Sequence, residues 1–424
     1  MSTVLFVGAG RNQRRAIARV RELGARVVAV DRNADAPGFA EADEGAAVDF
    51  ADVEAVAEVG RAHGVDGVLT LAADRAVPVV ARVAELLGLP GIGSESAHLA
   101  TNKIAMRRVF AEQGVPQPRF AAVRDYASAK AACETIGFPA VLKPADSAGQ
   151  RGLYLVHDMD ELARSLPLTL AASPTQEAVL EAFHEGREVN TLLVARTDDV
   201  KLVTASDRLR PWAASAGGRA AGARPEDRAA YGSPGGVGFG VALAHLYPST
   251  LYGDVLDEVE RVALASVHAI GLRNGIAYPQ LLVSEDGVRV VEIAARIPGG
   301  QMVEVPRYGV GIDLVEVALK QALGEPVPDE LVTPRFQQPF AIRFLTAEPG
   351  PLPTGVVRSV GPLAKARAFP GVDRVETWIE AGETIRPVQT DGDRRGYVIA
   401  RGQTNLEALE RAEAAAGLID VEIA

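Results

Sequence analysis

The sequence contains a single cysteine, Cys133, among 424 residues. No disulfide can therefore form within the chain, and a reducing compartment fits this composition. Basic residues are also few: 44 lysines and arginines face 55 acidic residues, and the net charge is −11. This balance argues against a nucleic-acid surface, which needs a basic stripe. No apolar run approaches the length of a membrane span. We therefore expect a cytoplasmic protein with neither a nucleic-acid nor a membrane partner.

Cys133 lies in an alanine-rich helical run, Ala127–Ile136. A small buried residue is a better interpretation here than a nucleophile, whose thiolate needs an electropositive, accessible setting. The N-terminus, residues 1–8, carries no charged segment ahead of its short apolar run. We interpret it as a first strand and not as a signal peptide.

The composition, 48% hydrophobic and 23% charged, describes a globular protein, and the length predicts about three domains. Residues 1–100 alternate apolar strands with helical runs, which predicts an α/β fold with a parallel sheet. Pro326 and Pro328 mark a linker, and the tail beyond it mixes short strands with one late helix, Asn405–Ala416, as in a small α+β domain. The stretch 213–240, rich in glycine, alanine and arginine, is interpreted as a long loop, either disordered or ordered by a ligand.

A glycine pair, Gly8-x-Gly10, follows the first strand, and Asp31 ends the second. This pattern resembles a dinucleotide-binding fingerprint, but Gln13 stands where a third glycine is expected. A tight strand-to-helix turn in a doubly wound sheet explains the same residues, and both interpretations stay open.

The most informative stretch is a predicted hairpin, in which two apolar strands over 277–283 and 288–296 flank an Asp-Gly turn. Gln280 precedes the turn and Glu292 follows it, so a hairpin brings their oxygens together, with Arg296 just beyond. Oxygen ligands beside a guanidinium suit Mg²⁺ and phosphate. The alternative is a surface hairpin with one solvated glutamate.

Two lysines precede this hairpin in distinctive settings: Lys103 opens a helix, and Lys143 ends a short strand. A loop of small residues, 145–152, follows Lys143, and its backbone N–H groups can turn toward an anion. Later strands carry Glu181 and Glu188. Each feature alone is weak, because a lysine is usually a solvated surface charge.

Together the order and local contexts resemble the ATP-grasp superfamily, in its biotin-carboxylase-like branch, and within it the carboxylate–amine ligases that condense amino acids. The motifs that carry the resemblance are Asn102-Lys103-x-x-Met106-Arg107, Gly137-Phe138-Pro139-x-Val141-x-Lys143-Pro144, Glu292-x-x-x-Arg296 and Asp393-Arg394-Arg395-Gly396-Tyr397-Val398. The resemblance implies a Rossmann-like N-terminal domain over 1–100 and a two-lobed ATP-grasp domain over 101–328, with a mobile lid at roughly 118–190. A C-terminal α+β domain over 329–424 and a homodimer are also implied.

The resemblance further implies roles for individual residues. Lys103 and Lys143 would hold the α- and β-phosphates of ATP, and the loop that contains Ser147, Gly149, Gln150 and Gly152 would close over its β- and γ-phosphates. Glu181, Ala182 and Phe183 would bind adenine. Glu188 would bind the ribose. Gln280 and Glu292 would bind Mg²⁺ or Mn²⁺. Arg296 would neutralise the transferred phosphoryl group, and the backbone amides near Gly299 and Gly300 would receive the substrate carboxylate.

The implied reaction joins a small-molecule carboxylate, expected to be an amino acid, to an amine. The carboxylate attacks the γ-phosphate to give an acyl phosphate, and the amine then displaces phosphate. Because an acyl phosphate hydrolyses in water, we expect a closing lid, made by residues 147–152 and part of 213–240. His245 could orient the amine or simply pack, Asp207 and Arg208 could face the site or form a strand-end ion pair, and Trp212 could line a pocket or anchor the loop.

Three departures from the family pattern keep alternatives open. Gln280 stands where many members have glutamate, and Ala294 where asparagine is frequent. Gly300 occupies the place of the glutamate that deprotonates bicarbonate in biotin carboxylase, which counts against carboxylation. The alternatives are a carboxylase or purine-pathway ATP-grasp enzyme that uses formate or bicarbonate, a nucleotide-binding protein without catalysis, and a nicotinamide dehydrogenase.

Overall fold

The computed structural model describes residues 1–211 and 238–424. The predicted loop over 213–240 lies almost entirely outside these residues, as does Trp212. Within the described ranges, no helix combines the length and the apolar character that crossing a bilayer requires.

The N-terminal unit, residues 3–101, is the predicted alternation of strands and helices. Its elements are β1 (Thr3–Val7), α1 (Arg14–Glu22), β2 (Arg26–Asp31), β3 (Glu44–Ala47), α2 (Val53–His63), β4 (Gly67–Leu69), α3 (Val77–Leu87) and α4 (Ser94–Thr101). The strands form a parallel sheet in the order β3-β2-β1-β4. The prediction of a parallel sheet is confirmed.

The glycine turn after β1 is braced from within the N-terminal unit. The Asp31 carboxylate accepts the backbone N–H of Ala9 at 2.9 Å, and Gln13 Nε2 donates to the carbonyl of Leu71 at 2.7 Å. Asp31 and Gln13 thus have structural partners, which favours the tight-turn interpretation over a dinucleotide fingerprint.

An antiparallel lobe, residues 120–182, follows helix α5 (Lys103–Glu112) and lies within the range predicted for the lid. Its elements are β5 (Phe120–Val123), α6 (Tyr126–Ile136), β6 (Ala140–Pro144), β7 (Tyr154–Val156), α7 (Met159–Ala171) and β8 (Ala178–Ala182). The strand order is β5-β8-β6-β7, and α6 and α7 share a separate apolar core with these strands. Cys133 is a half-buried member of that core.

The central sheet joins the middle of the chain to the C-terminal part. From the middle come β9 (Arg187–Arg196), β10 (Asp199–Leu209), β11 (Ala244–Tyr247), α8 (Asp254–Ala269), β12 (Gly275–Ser284), β13 (Gly287–Ala294), α9 (Glu304–Gly309) and α10 (Leu314–Ala322). Strands β12 and β13 are antiparallel neighbours joined by a two-residue turn, which confirms the predicted hairpin. Helix α8 packs its valine face on the sheet.

The C-terminal part supplies β14 (Phe340–Phe344), β15 (Gly355–Val360), α11 (Ala364–Arg367), β16 (Val372–Thr377), β17 (Thr384–Ile385), β18 (Gly396–Arg401), α12 (Asn405–Ala416) and β19 (Val421–Ile423). The eight strands of the central sheet run β13-β12-β9-β10-β11-β14-β18-β16. Because β14 pairs with β11, the linker at Pro326 and Pro328 interrupts neither the sheet nor its core. Strand β14 is therefore continuous with the central sheet, and the predicted boundary at 328/329 stays a prediction.

Short 3₁₀ turns complete the described fold. They span Pro37–Glu41, Asp74–Ala76, Asp329–Leu331 and Asp391–Asp393. Two of them begin with an aspartate that lines the cleft described next.

Candidate active site

A cleft of about 740 Å³ lies where the N-terminal unit, the antiparallel lobe, the central sheet and the C-terminal part meet. Most of the residues predicted from the sequence line it: Lys103, Lys143, Ser147, Gly149, Gln150, Gln280, Glu292, Arg296, Gly299 and Gly300. The residues that would bind phosphate, metal and carboxylate thus share one cavity.

Lys103 is placed by the start of helix α5. The Asn102 side chain accepts the backbone N–H of Ala105 at 3.0 Å, which caps the helix. The Lys103 backbone N–H donates to the carbonyl of Ala145 at 2.7 Å, and its ammonium donates to the carbonyl of Ser147 at 2.8 Å. The lysine therefore touches the loop between β6 and β7, which is the hairpin tip that the sequence predicts.

Lys143 and Glu181 form a buried ion cluster with Arg107. The Lys143 ammonium and the Arg107 Nε each lie 2.8 Å from a Glu181 carboxylate oxygen. Burial alone would raise the pKa of the Glu181 carboxyl, but the charges of Arg107 and Lys143 hold that pKa at about 2. Lys143 lines the cleft, whereas Glu181 lies behind it, 2% exposed.

The expected metal ligands stand in a row across three strands. Gln280 is directly opposite Glu292 on β13 and opposite Asn190 on β9, so the three side chains share one face of the sheet. Within the described ranges, neither the Glu292 side chain nor the Gln280 side chain has a hydrogen-bond or ion-pair partner. Asn190 is buried, and its Oδ1 has no partner either. The row presents one carboxylate and two amide groups, a donor set of the oxygen type that Mg²⁺ prefers.

Arg296 is held by a residue that the sequence analysis missed. Its Nε and Nη2 donate to the two carboxylate oxygens of Asp74 at 2.8 and 2.7 Å. Burial would raise the pKa of the Asp74 carboxyl, but the charges of Arg296 and Lys103 keep it below its ordinary value. Asp74 lies 222 positions away in the N-terminal unit, so no local pattern could have indicated it.

Gly300 lies at the end of the cleft where the sequence predicts the substrate carboxylate. Its φ of +63° is a left-handed conformation, and a Cβ there would lie 3.4 Å from Arg394 Nη1, 3.7 Å from Phe344 and 3.9 Å from His245 Nε2. The Arg394 guanidinium stacks on the Phe344 ring at 4.0 Å and pairs with Asp391 at 2.6 Å. The absence of a side chain at Gly300 thus keeps a methyl-sized space free beside the Arg394 guanidinium and the His245 imidazole.

His245 is buried at this end of the cleft. Its Nδ1 lies 3.1 Å from Asn190 Nδ2, and its ring meets Phe344 edge to face. Burial, together with the charges of Arg208 and Arg394, holds the pKa of His245 well below its ordinary value. The imidazole is therefore neutral near neutral pH and lines the cleft as an uncharged group.

Asp207 and Arg208 do not pair with each other, because neighbouring strand residues point to opposite faces. Asp207 bonds Ser249 and Thr250 outside the cleft, whereas Arg208 lines it. Asp207 instead forms an ion pair with Arg187 at 3.2 Å, and Arg208 forms one with Glu188. The ion-pair interpretation therefore holds for both residues, and Arg208 also faces the site.

The residues expected at adenine and ribose lie behind the cleft wall. Glu188 is buried against Arg208 and Arg210, the second at 3.1 Å. The backbone N–H groups of Ala182 and Phe183 donate to the carbonyls of Arg119 and Pro139. Gly152 also lies off the lining, with its carbonyl accepting Thr169 Oγ1. Their nucleotide-binding roles stay predictions.

Three family models match consecutive parts of the chain: an ATP-grasp N-terminal domain over 18–91, the phosphoribosylglycinamide synthetase ATP-grasp (A) domain over 101–299, and L-amino acid ligase C-terminal domain 2 over 343–424.

The chain belongs to the ATP-grasp superfamily.

Among its relatives, the formate-dependent phosphoribosylglycinamide formyltransferase of Ignicoccus hospitalis is 26% identical over 98% of this chain and 95% of its own. Two solved structures share the fold. L-amino acid ligase from Bacillus licheniformis has a TM-score of 0.79 at 19% identity, covering 100% of this chain and 99% of that one. Phosphoribosylglycinamide synthetase from Anaerococcus prevotii has a TM-score of 0.73 at 18% identity, covering 100% of both. The predicted ATP-grasp ligase fold is confirmed.

Proposed function

We propose that this ATP-grasp ligase activates a carboxylate with ATP and joins it to an amine. The observation that carries the proposal is the convergence of Lys103, Lys143, Glu292 and Arg296 on one cleft. Phosphoryl transfer depends on positioning and charge neutralisation, and these side chains provide both.

The lysines and the loop that follows Lys143 would hold the triphosphate. Glu292 and Gln280 would hold Mg²⁺, with Asn190 beside them, and that ion would neutralise charge on the phosphate oxygens. Glu292 is the one fully anionic member of the row, so it would contribute most of the affinity for the cation.

The reaction would run in two displacements. A substrate carboxylate oxygen attacks the γ-phosphorus, and ADP leaves, which yields an acyl phosphate. The amine nitrogen then attacks the acyl carbon, phosphate leaves, and the nitrogen loses a proton. Arg296 would balance the charge of the transferred group, and the backbone near Gly299 and Gly300 would receive the carboxylate.

A small acid is the first candidate for the carboxylate. Phosphoribosylglycinamide stands in the names of both the Ignicoccus relative, a formyltransferase, and the matching synthetase family. The name of the relative also includes formate. They favour the purine-pathway alternative over the amino acid that we expect from the sequence. Gly300 places no base in the cleft where bicarbonate would need one, so formate fits better than bicarbonate.

An amino acid stays the second candidate because of the C-terminal part. Residues 343–424 match the L-amino acid ligase model, and Phe344, Trp378 and Arg394 from this part line the cleft. An aromatic wall with a guanidinium suits a substrate that has both a side chain and a carboxylate.

The test is phosphate release from ATP by the full chain, with a panel of acids and amines. Release with formate plus phosphoribosylglycinamide supports the first candidate, and release that requires a pair of amino acids supports the second. ATP binding without release under any condition would overturn the ligase proposal in favour of a non-catalytic nucleotide-binding protein. The expected homodimer is tested separately by sedimentation equilibrium.

A further inference from the structure

The N-terminal unit is hydrogen-bonded to the segment that follows β13 and carries Arg296. A parallel bridge joins Leu71 to Ile297, and the Ala72 backbone N–H donates to the carbonyl of Ile297 at 3.1 Å. A Cβ added at Gly299 would lie 3.2 Å from the Ala72 side chain. The turn that begins at Asp74 is therefore in fixed register with residues 296–299.

The Asp74 pair fixes the plane of the Arg296 guanidinium. A guanidinium has five N–H groups in a rigid fork. Two of them are donated side-on to Asp74 from Nε and Nη2, and one from Nη1 goes to the carbonyl of Ile297 at 3.2 Å. The remaining two, one on Nη1 and one on Nη2, have no partner among the described residues, and the Arg296 side chain lines the cleft.

Asp74 differs from the other aspartates that line the cleft in the side chain with which it forms an ion pair or hydrogen bonds. Asp146 accepts from Ser173 and Thr175, and Asp391 pairs with Arg394. Asp74 alone, among the cleft aspartates that the structure describes, neutralises the guanidinium next to the candidate metal ligands.

We infer that Asp74 is a positioning residue for the ligase reaction, which holds Arg296 so that its two free N–H groups face the transferred phosphoryl group. The inference rests on the proposed function. It also gives the N-terminal unit a part in catalysis, although Asp74 lies 222 positions before Arg296 in the sequence.

Loss of the Asp74 charge has a specific consequence. Glu292 is the next carboxylate that acts on Arg296. Without Asp74, the guanidinium would turn toward Glu292, and the site would lose a phosphoryl contact and a free metal ligand together. Substrate turnover would fall, whereas the lysines that hold ATP would keep their places.

The test compares Asp74→Asn with Asp313→Asn in the full chain. Asp313 pairs with Arg19 at 2.7 Å between the N-terminal unit and helix α10, so it is an ion pair across the same interface, away from the cleft. We expect the kcat of Asp74→Asn to fall at least about tenfold, with the KM for ATP within about twofold of wild type. Asp313→Asn should keep the wild-type kcat.

Asp74→Glu, which keeps the charge but displaces it, should recover part of the lost kcat, and it provides the comparison if Asp74→Asn does not fold. A wild-type kcat in Asp74→Asn, or an equal loss in Asp313→Asn, would overturn the inference and leave the proposed function intact. Absence of turnover in the wild-type chain would instead overturn the proposed function itself.

Discussion

Glu292 differs from the neighbouring acids of the cleft because its carboxylate is unpaired. Asp74 and Asp391 are neutralised by Arg296 and Arg394, whereas Glu292 has no ion-pair partner among the described residues. An unpaired carboxylate in a partly buried site is available to a cation. We expect Glu292→Gln to lower ATP turnover by roughly 100-fold or more, because the transferred phosphoryl group loses its main source of metal charge.

The measurement is phosphate release at saturating ATP over a range of Mg²⁺ concentrations. Glu285→Gln, in the turn of the same hairpin, is the matched control, and it should keep wild-type turnover. Both variants should melt close to wild type. Unchanged turnover in Glu292→Gln would mean that the metal binds elsewhere.

His245 makes stability depend on pH. Its folded-state pKa lies well below the ordinary value because of burial and the charges of Arg208 and Arg394. As the pH falls, His245 therefore takes up a proton in the unfolded chain before it does so in the folded chain. The contribution of neutral His245 to the free energy of unfolding is complete above about pH 6.5 and is lost as the pH falls toward the folded-state pKa. We expect the melting temperature of wild type to fall between about pH 6.5 and 5 more steeply than that of His245→Gln. The exposed His268→Gln is the control; equal slopes for wild type and His245→Gln would contradict the prediction.

At this scale the sequence predicts residue types better than their partners. Lys143 and Glu181 are both predicted as ATP ligands, yet they are bonded to each other. Their contact depends on the pairing of β6 with β8, which local propensity does not encode. The contact of Asp74 with Arg296 and the position of Asn190 opposite Gln280 also depend on long-range pairing, so the sequence does not predict them.

The loop that follows β13, residues 295–300, allows the effect of a single added methyl group to be tested. Gly300 and Gly88 have nearly equal φ values, +63° and +66°, but Gly88 ends helix α3 in open space, whereas Gly300 faces Arg394 and His245. Alanine at either position costs about 1 kcal/mol of backbone strain. We expect similar small losses of melting temperature in Gly300→Ala and Gly88→Ala.

Only Gly300→Ala should raise the KM for the carboxylate substrate, by roughly tenfold, because its methyl group would occupy the space that we propose for that substrate. Steady-state kinetics of the two variants separates strain from obstruction. A wild-type KM in Gly300→Ala would place the carboxylate at another part of the cleft.

Elements with strong local signals are predicted well. Helix α12 begins at Asn405, where the Thr404 side chain accepts the N–H of Glu407. The β12–β13 hairpin turns at Glu285 and Asp286, directly before Gly287. Both depend on residues within a few positions. The insertion of β9 beside β12 depends on a pairing across about 90 positions, so the row of Asn190, Gln280 and Glu292 becomes visible only in the fold.

On the scale of the whole molecule, the central sheet argues that the C-terminal part is needed for folding. Strand β14 covers the edge of β11 in four register pairs, and Phe340, Ile342 and Tyr397 belong to the same core as Leu192 and Val194. The predicted boundary at 328/329 relies on prolines, which mark a linker but say nothing about how the sheet continues. Removing residues 335–424 would expose an unpaired strand edge and the part of that core that Phe340, Ile342 and Tyr397 cover.

We therefore expect the fragment 1–334 to be largely insoluble or unfolded, whereas a separate domain would leave it folded. Circular dichroism and thermal melting of the fragment test this, and co-expression with residues 335–424 is the control, because strand β14 can then pair with β11 from a second chain. Recovery of a soluble, ATP-binding complex would show that the loss came from the missing strands. A cooperative melt of 1–334 alone would contradict the argument. It would also weaken the assignment of the cleft, since Phe344, Trp378 and Arg394 reach the site only through strands that continue this sheet.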